Sequence, residues 1–429
     1  MSLIKAAVVQ AAPVLFDTPK TLTKLGELTR DAAANGADLV VFPEAFVGGY
    51  PKGLDFGARL GLRSAEGRED FRRYFESAID VPGAEASRIG EIARDNGVHM
   101  VVGVIERDGG TLYCATLTYA PSGKLLYKHR KLMPTALERL VWGFGDGSTI
   151  GVVDTPIGRI GSVICWENYM PLLRAAMYAQ GIELYCAPTV DDRDAWLPTM
   201  RTIALEGRCF VVSACQYLTR GDGPVDVAPI QGDDPATVLI RGGSCIVDPF
   251  GNVLVEPDFT GETIKVAEID RRAIPRGKYD LDVVGHYARP DIFQLSVDTR
   301  AKSAVTFGGE HVASRLRMTR KPRGHRRLKN VRTDGSGAGT HPVRVHHLLS
   351  HHLPCDHDRP GKLSCRARGA VALEKGQGLS RSLSFLVADI RGQLCHGRRV
   401  GAGHGLPVWH QLELLFGVCR IDYGAAPRL

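Results

Sequence analysis

The feature that most constrains this chain is an alternation. Over residues 1–300, short runs rich in Val, Ile, Tyr or Thr take turns with stretches whose apolar residues recur every three or four positions. The runs predict strands at Ile4–Gln10, Asp38–Phe42, Val98–Ile105, Thr111–Tyr119, Gly161–Cys165, Glu183–Ala187, Cys209–Ala214, Ser244–Val247 and Ile264–Ile269, each bounded by Gly, Pro or Asp. Between them, Thr18–Asn35 carries Leu22, Leu25, Leu28 and Ala32 on one helical face. Thr18 is placed to cap that helix, Pro19 to open it and Gly36 to end it. The stretches Ala84–Asn96, Pro171–Gln180 and Ala195–Glu206 repeat the pattern. Hairpin-like segments around Pro121-Ser122-Gly123 and Asp248–Asn252 add antiparallel pairs. An α/β domain with a mixed sheet is expected. Gln10-Ala11-Ala12-Pro13 follows the first strand where a dinucleotide fold would place a glycine-rich loop, which counts against nucleotide binding.

Charge divides the chain in two. The 429 residues carry a formal charge of +7, but residues 301–429 hold 22 Lys+Arg against 8 Asp+Glu, and 11 of the 14 His. Residues 1–300 are therefore net acidic. An α/β domain over 1–300 and a basic His/Arg/Gly-rich tail over 301–429 are the expected organisation. The tail cannot bury enough apolar surface to offset the entropy of ordering it. The ten cysteines are irregularly spaced and form no C-x-x-C pair, so free thiols in a reducing cytoplasm are expected. No secretory signal and no membrane-length apolar run is visible.

Chemistry concentrates at three strand ends. Glu44 follows the apolar run Val40–Phe42 and Pro43; Lys131 follows Tyr127–Arg130 and precedes Leu132-Met133-Pro134; Cys165 ends Gly161–Ile164 just before the helix at Pro171. Each alone reads as something ordinary: a surface carboxylate, a solvated basic turn, an inert core cysteine. Cys114, Cys186, Cys209, Cys215 and Cys245, inside apolar stretches, fit that last description. Together, a carboxylate, a fixed ammonium and a thiol suit acyl transfer from a carbon–nitrogen bond. The thiol attacks, the carboxylate takes its proton, and the ammonium stabilises developing negative charge.

Glu44 in F-P-E, Lys131 in H-R-K-L-M-P and Cys165 in C-W-E-N resemble the Glu–Lys–Cys triad of the nitrilase, or carbon–nitrogen hydrolase, superfamily, over residues 4–298. Cys165-Trp166-Glu167-Asn168, Glu138–Ser148 and Ile203–Arg208 are similar to the true nitrilase branch rather than to amidases. The resemblance implies a four-layer α-β-β-α sandwich and the hydrolysis of an organic nitrile to its acid and ammonia through a Cys165 thioimidate and thioester. It implies that Glu138 positions Lys131 or the substrate and that Lys131 and the Trp166 N–H stabilise charge. It also implies that no metal or organic cofactor is needed and that the chain self-associates into homo-oligomers. Lys131 is expected to stay charged, and Glu44 to have a raised pKa in a dry pocket. Tyr50, Trp166, Pro188, Thr189 and Trp196 flank strand ends near the triad and are candidate walls of the substrate pocket.

Alternatives stay open on this scaffold: an amidase or a cyanide-degrading hydrolase. For the tail, the basic run Arg315–Arg332 suggests nucleic-acid binding, but no aromatic interrupts it and no folded recognition motif surrounds it, so neither nucleic acid nor membrane is expected as a partner. His346, His347, His351, His352, Cys355 and His357 suggest adventitious metal binding. Its composition and abrupt onset also resemble a shifted reading frame.

Overall fold

A computed structural model describes residues 3–303 and Val305, except Ala228. The expectations for Arg315–Arg332, for the His346–His357 cluster and for the tail's order lie outside the described residues.

Thirteen strands, one of them only two residues long, build two sheets. β1 (Leu3–Gln10), β2 (Leu39–Val41), β3 (His99–Asp108), β4 (Thr111–Tyr119), β5 (Leu125–Arg130) and β12 (Thr263–Asp270) form the first, in the order β12-β1-β2-β3-β4-β5. The two-residue strand Ile79–Asp80 pairs alongside β3. β6 (Val152–Thr155), β7 (Gly158–Ser162), β8 (Leu184–Cys186), β9 (Phe210–Ser213), β10 (Cys245–Val247) and β11 (Val253–Val255) form the second, in the order β11-β10-β9-β8-β7-β6. In each sheet the central strands are parallel (β1-β2-β3 and β7-β8-β9), and the flanking pairs are antiparallel. The mixed sheet expected from the alternation is thus two.

The period of two explains why the sheets stack. On β1, Ile4, Ala6 and Val8 face a core shared with Leu184, Cys186, Phe210, Val212 and Ile246 of the second sheet. The alternate residues Ala7 and Val9 face the opposite way, onto Leu25 and Ala32 of helix α1 (Thr18–Ala34) and onto Ile89, Ile92 and Ala93 of the helix Ala84–Asp95. Tyr185 and Val211 in turn pack against Leu173 and Met177 of α4 (Pro171–Ala179) and against Met200 and Ile203 of α5 (Trp196–Gly207). Runs apolar on both faces need cover on both faces, and the result is the α-β-β-α sandwich. In the numbering used here the helix Ala65–Ser77 is α2, Ala84–Asp95 is α3, and Ala273–Asp280 is α6.

Two details differ from the sequence reading. Asp17, not Thr18, caps α1, its carboxylate accepting from Lys20 N at 3.0 Å, while the Thr18 hydroxyl donates to Ser77 O. Cys165 lies three residues past the end of β7, on a one-turn 3-10 segment, Cys165–Tyr169.

Candidate active site

Glu44, Lys131 and Cys165 meet where strand ends of the two sheets converge. Past β2 the chain stays stitched to β3: Gly103 N donates to Pro43 O at 3.1 Å and Val47 N to Gly103 O at 3.1 Å. A Cβ on Gly103 would stand 2.2 Å from Pro43 O, so this close approach needs glycine. The stitching buries Glu44 completely, and Gln216 Nε2 holds its carbonyl at 2.7 Å. Lys131 follows β5, with its N–H on Cys114 O and its carbonyl on Gly145 N, both at 2.8 Å. Its ammonium is fully buried and donates to Glu44 Oε1 at 2.7 Å and to Glu138 Oε2 at 2.8 Å.

Cys165 adopts a left-handed backbone with φ of +50°, a strained state for a non-glycine residue. Its N–H is bound to Pro188 O at 2.9 Å, and Asn168 Nδ2 clamps the turn through Val163 O (3.0 Å) and Cys165 O (2.7 Å). Thr189 Oγ1 donates to Cys165 Sγ at 3.3 Å. Among the described residues the Trp166 N–H has no backbone acceptor.

The electrostatics follow from burial. Desolvation raises the Glu44 pKa; Lys131 and the Cys165 thiol pull it down, while Glu138 adds to the rise. Glu44 Oε2 is buried without a hydrogen-bond partner. Burial pushes the Cys165 thiol up, and the Glu44 charge pushes further, against Lys131. For Lys131, burial opposes the charge, but Glu44, Cys165, Cys114 and Glu138 outweigh it and raise its pKa well above the ordinary value. The thiol therefore rests protonated beside a carboxylate of raised proton affinity with a spare oxygen. Proton transfer to Glu44 in step with attack is what this arrangement can do.

Above Cys165 opens a cavity of about 290 Å³, lined by Tyr50, Thr135, Glu138, Trp166, Val190 and Arg193 among others. Tyr50 and Trp166 stand in the wall of this cavity. Tyr50 OH donates to Glu138 Oε1 at 2.8 Å, and Glu138 Oε2 also accepts from Thr135 N at 2.6 Å. The Trp166 indole is fixed by Asp191 Oδ2 at 2.9 Å, with the Arg193 guanidinium 4.6 Å from a ring centroid. Thr189 and Pro188 sit directly against the nucleophile, Thr189 on its sulfur and Pro188 on its N–H. The buried Trp196 ring packs with α5 and the second sheet, its Nε1 donates to Ser213 Oγ at 2.9 Å, and it borders a neighbouring cavity of about 200 Å³ that shares Asp191, Asp192 and Arg193 with the first.

Residues 5–279 match the carbon–nitrogen hydrolase family. The chain belongs to that family. An aliphatic nitrilase of Sinorhizobium fredii is 59% identical over 305 residues, 71% of this chain and 99% of that protein. A nitrilase of Bradyrhizobium diazoefficiens is 59% identical over 70% of this chain and 94% of its own length. A bifunctional nitrilase/nitrile hydratase of Nicotiana tabacum is 54% identical over 71% and 88%. In fold, a nitrilase-superfamily protein of Saccharomyces cerevisiae aligns with a TM-score of 0.53 at 22% identity, over 67% of this chain and 97% of that one.

Within this family frame, three neighbours of the site escaped the sequence reading. Cys114, expected to be inert core, places its thiol 3.5 Å from Glu44 Oε1. Gln216 reaches Glu44 from 172 positions away. Trp142 lies with its ring 5.6 Å from Lys131 Nζ, and its Nε1 donates to Tyr74 OH at 3.0 Å. Cys114 carried a local signal, since it sits in the strand paired with the one that leads into Lys131, and Trp142 lies within the Glu138–Ser148 stretch; Gln216 carried none.

Proposed function

We propose that this chain hydrolyses an organic nitrile to the carboxylic acid and ammonia. The observation that carries the reading is the buried meeting of Glu44, Lys131 and the Cys165 thiol, with Cys165 opening onto a cavity. The sequences 54–59% identical to it that bear nitrilase names support it.

Cys165 Sγ adds to the nitrile carbon while its proton passes by way of Glu44 to the nitrogen, giving a thioimidate. Water adds to that carbon, ammonia leaves, and a thioester remains. A second water, deprotonated by Glu44, displaces the thiol as the acid forms, so two waters are consumed per nitrile. Lys131 holds Glu44 in place and, with the Trp166 N–H, stabilises charge on the attacked group. Glu138 orients Lys131 and, through Tyr50, the cavity wall. Expulsion of the thiol from the tetrahedral species would release amide, a minor product of the same site.

Self-association belongs to the same reading. Leu172 on α4 and Leu205 on α5 are exposed apolar residues on the outer helix layer. Six free thiols among the described residues suit a reducing compartment.

The test is ammonia release from a panel of aliphatic, aromatic and arylaliphatic nitriles, cyanide and the matching amides. Turnover of nitriles with acid as the main product is expected; activity on amides alone would overturn the reading.

A further inference from the structure

The motifs H-R-K and C-W-E-N each contain a residue that the chemistry above does not use. His129 and Glu167 are both buried and meet across the interface between the Lys131 segment and the Cys165 turn. His129 Nε2 lies 3.1 Å from Glu167 Oε2, and His129 Nδ1 lies 2.7 Å from Thr149 O. A carbonyl oxygen only accepts, so Nδ1 carries a proton. Glu167 already accepts two backbone N–H groups: Leu132 N on Oε1, and Ile164 N on Oε2 at 3.0 Å. Both Glu167 oxygens act as acceptors here, so Nε2 is the donor of its contact with Oε2 and carries a proton too. The pair is an imidazolium against a carboxylate.

The placement of the two N–H groups gives the pair its meaning. Leu132 directly follows Lys131, and Ile164 directly precedes Cys165. One carboxylate therefore ties the ammonium-bearing segment of the first sheet to the thiol-bearing turn of the second. We infer that the His129–Glu167 pair is a positioning device for the reaction, setting the distance between Lys131 and Cys165 through the Glu167 carboxylate, in its imidazolium form. This rests on the function proposed above.

The other titratable groups near the pair are Tyr127, whose hydroxyl shares Thr149 O with the imidazole, and Tyr185, near Glu167 and itself close to Arg174. Burial raises the pKa of both tyrosines, so they stay neutral through the working range. Burial opposes the His129 charge, but Glu167 outweighs it and raises the imidazole above its ordinary value. The charge is complete at low pH and is lost as pH rises through the raised value. Catalysis gains an alkaline limb with no group in contact with substrate.

The experiment uses full-length wild type, His129→Gln, Glu167→Gln and the double variant, with kcat, KM and their pH profiles on the best nitrile of the panel. Melting and Cys165 alkylation by iodoacetamide, read by peptide mass, establish that each variant is folded. If wild type turns over no nitrile, the proposed function fails and not this inference. The expected result is a kcat lowered about 10- to 100-fold, as for a misplacement near 1 Å, with KM within about threefold. The double variant should be no worse than the weaker single one, and the alkaline limb should disappear. If a single variant does not fold, the double variant, which removes both charges together, carries the test. An alkaline limb unmoved from wild type in folded variants would overturn the inference, whatever their kcat.

Discussion

The two sheets contribute to the site in opposite ways. The first supplies fixed charge: Glu44 after β2 and Lys131 after β5, joined at 2.7 Å in full burial, with Glu138 close behind. The second supplies a strained, uncharged nucleophile: Cys165 at φ +50°, held by Pro188, Thr189 and Asn168. A charged pair tolerates burial because its members neutralise each other. A thiol next to that pair is kept protonated by the same burial and by the net negative charge of two carboxylates around one ammonium. Reactivity then comes from neither half alone.

Breaking the first half should have the largest effect. Lys131→Gln leaves Glu44 and Glu138 without their shared cation. Nitrile turnover should fall about 10²- to 10³-fold, and stability by about 3–5 kcal/mol, read by steady-state ammonia assay and urea unfolding. Separating the sheets without touching the site is the control. Leu184→Ala, in the core between them, should cost about 2–5 kcal/mol in unfolding free energy while kcat stays within about twofold. A large loss of kcat would show that the site depends on inter-sheet packing.

Glu138→Gln sharpens the electrostatic half. Glu44 must be ionised to take the thiol proton, and its pKa is raised by burial and by the Glu138 charge. Activity should therefore be lost as pH falls through a value above that of an ordinary glutamate. Removing the Glu138 charge should move this acid limb of kcat/KM downward, and an upward shift would contradict the assignment. The smallest effect belongs to the second half. Thr189→Val removes one hydroxyl donor to Cys165 Sγ, worth about 1 kcal/mol, so kcat should drop about fivefold.

What could be read from the sequence follows the same division. Strand ends were legible because apolar runs and their Pro or Gly stops are local; Lys131 directly follows such an end, and Glu44 and Cys165 each lie three residues past one. Helix α2, Ala65–Ser77, was not read: its apolar stripe is only Phe71, Tyr74 and Phe75 among charges, and its Ser64 cap is the main local signal. The edge strand Val152–Thr155 was also missed, being three half-buried residues and an exposed Asp154. The wall of the cavity was read in part. Tyr50 and Trp166 follow directly from strand ends, whereas Trp196 depends on which face α5 turns to the sheet. Gln216 reaches the site through tertiary register, which spacing along the chain does not encode.

The central claim is that Cys165 carries the substrate covalently. It is tested most directly by acid-quenching the enzyme during turnover of a slow nitrile and mapping the adduct by peptide mass. The account predicts a thioimidate or acyl adduct on the Cys165 peptide, absent in Cys165→Ala together with ammonia release. Turnover that persists in Cys165→Ala, or an adduct mapping to Cys114 or Cys215, would contradict it.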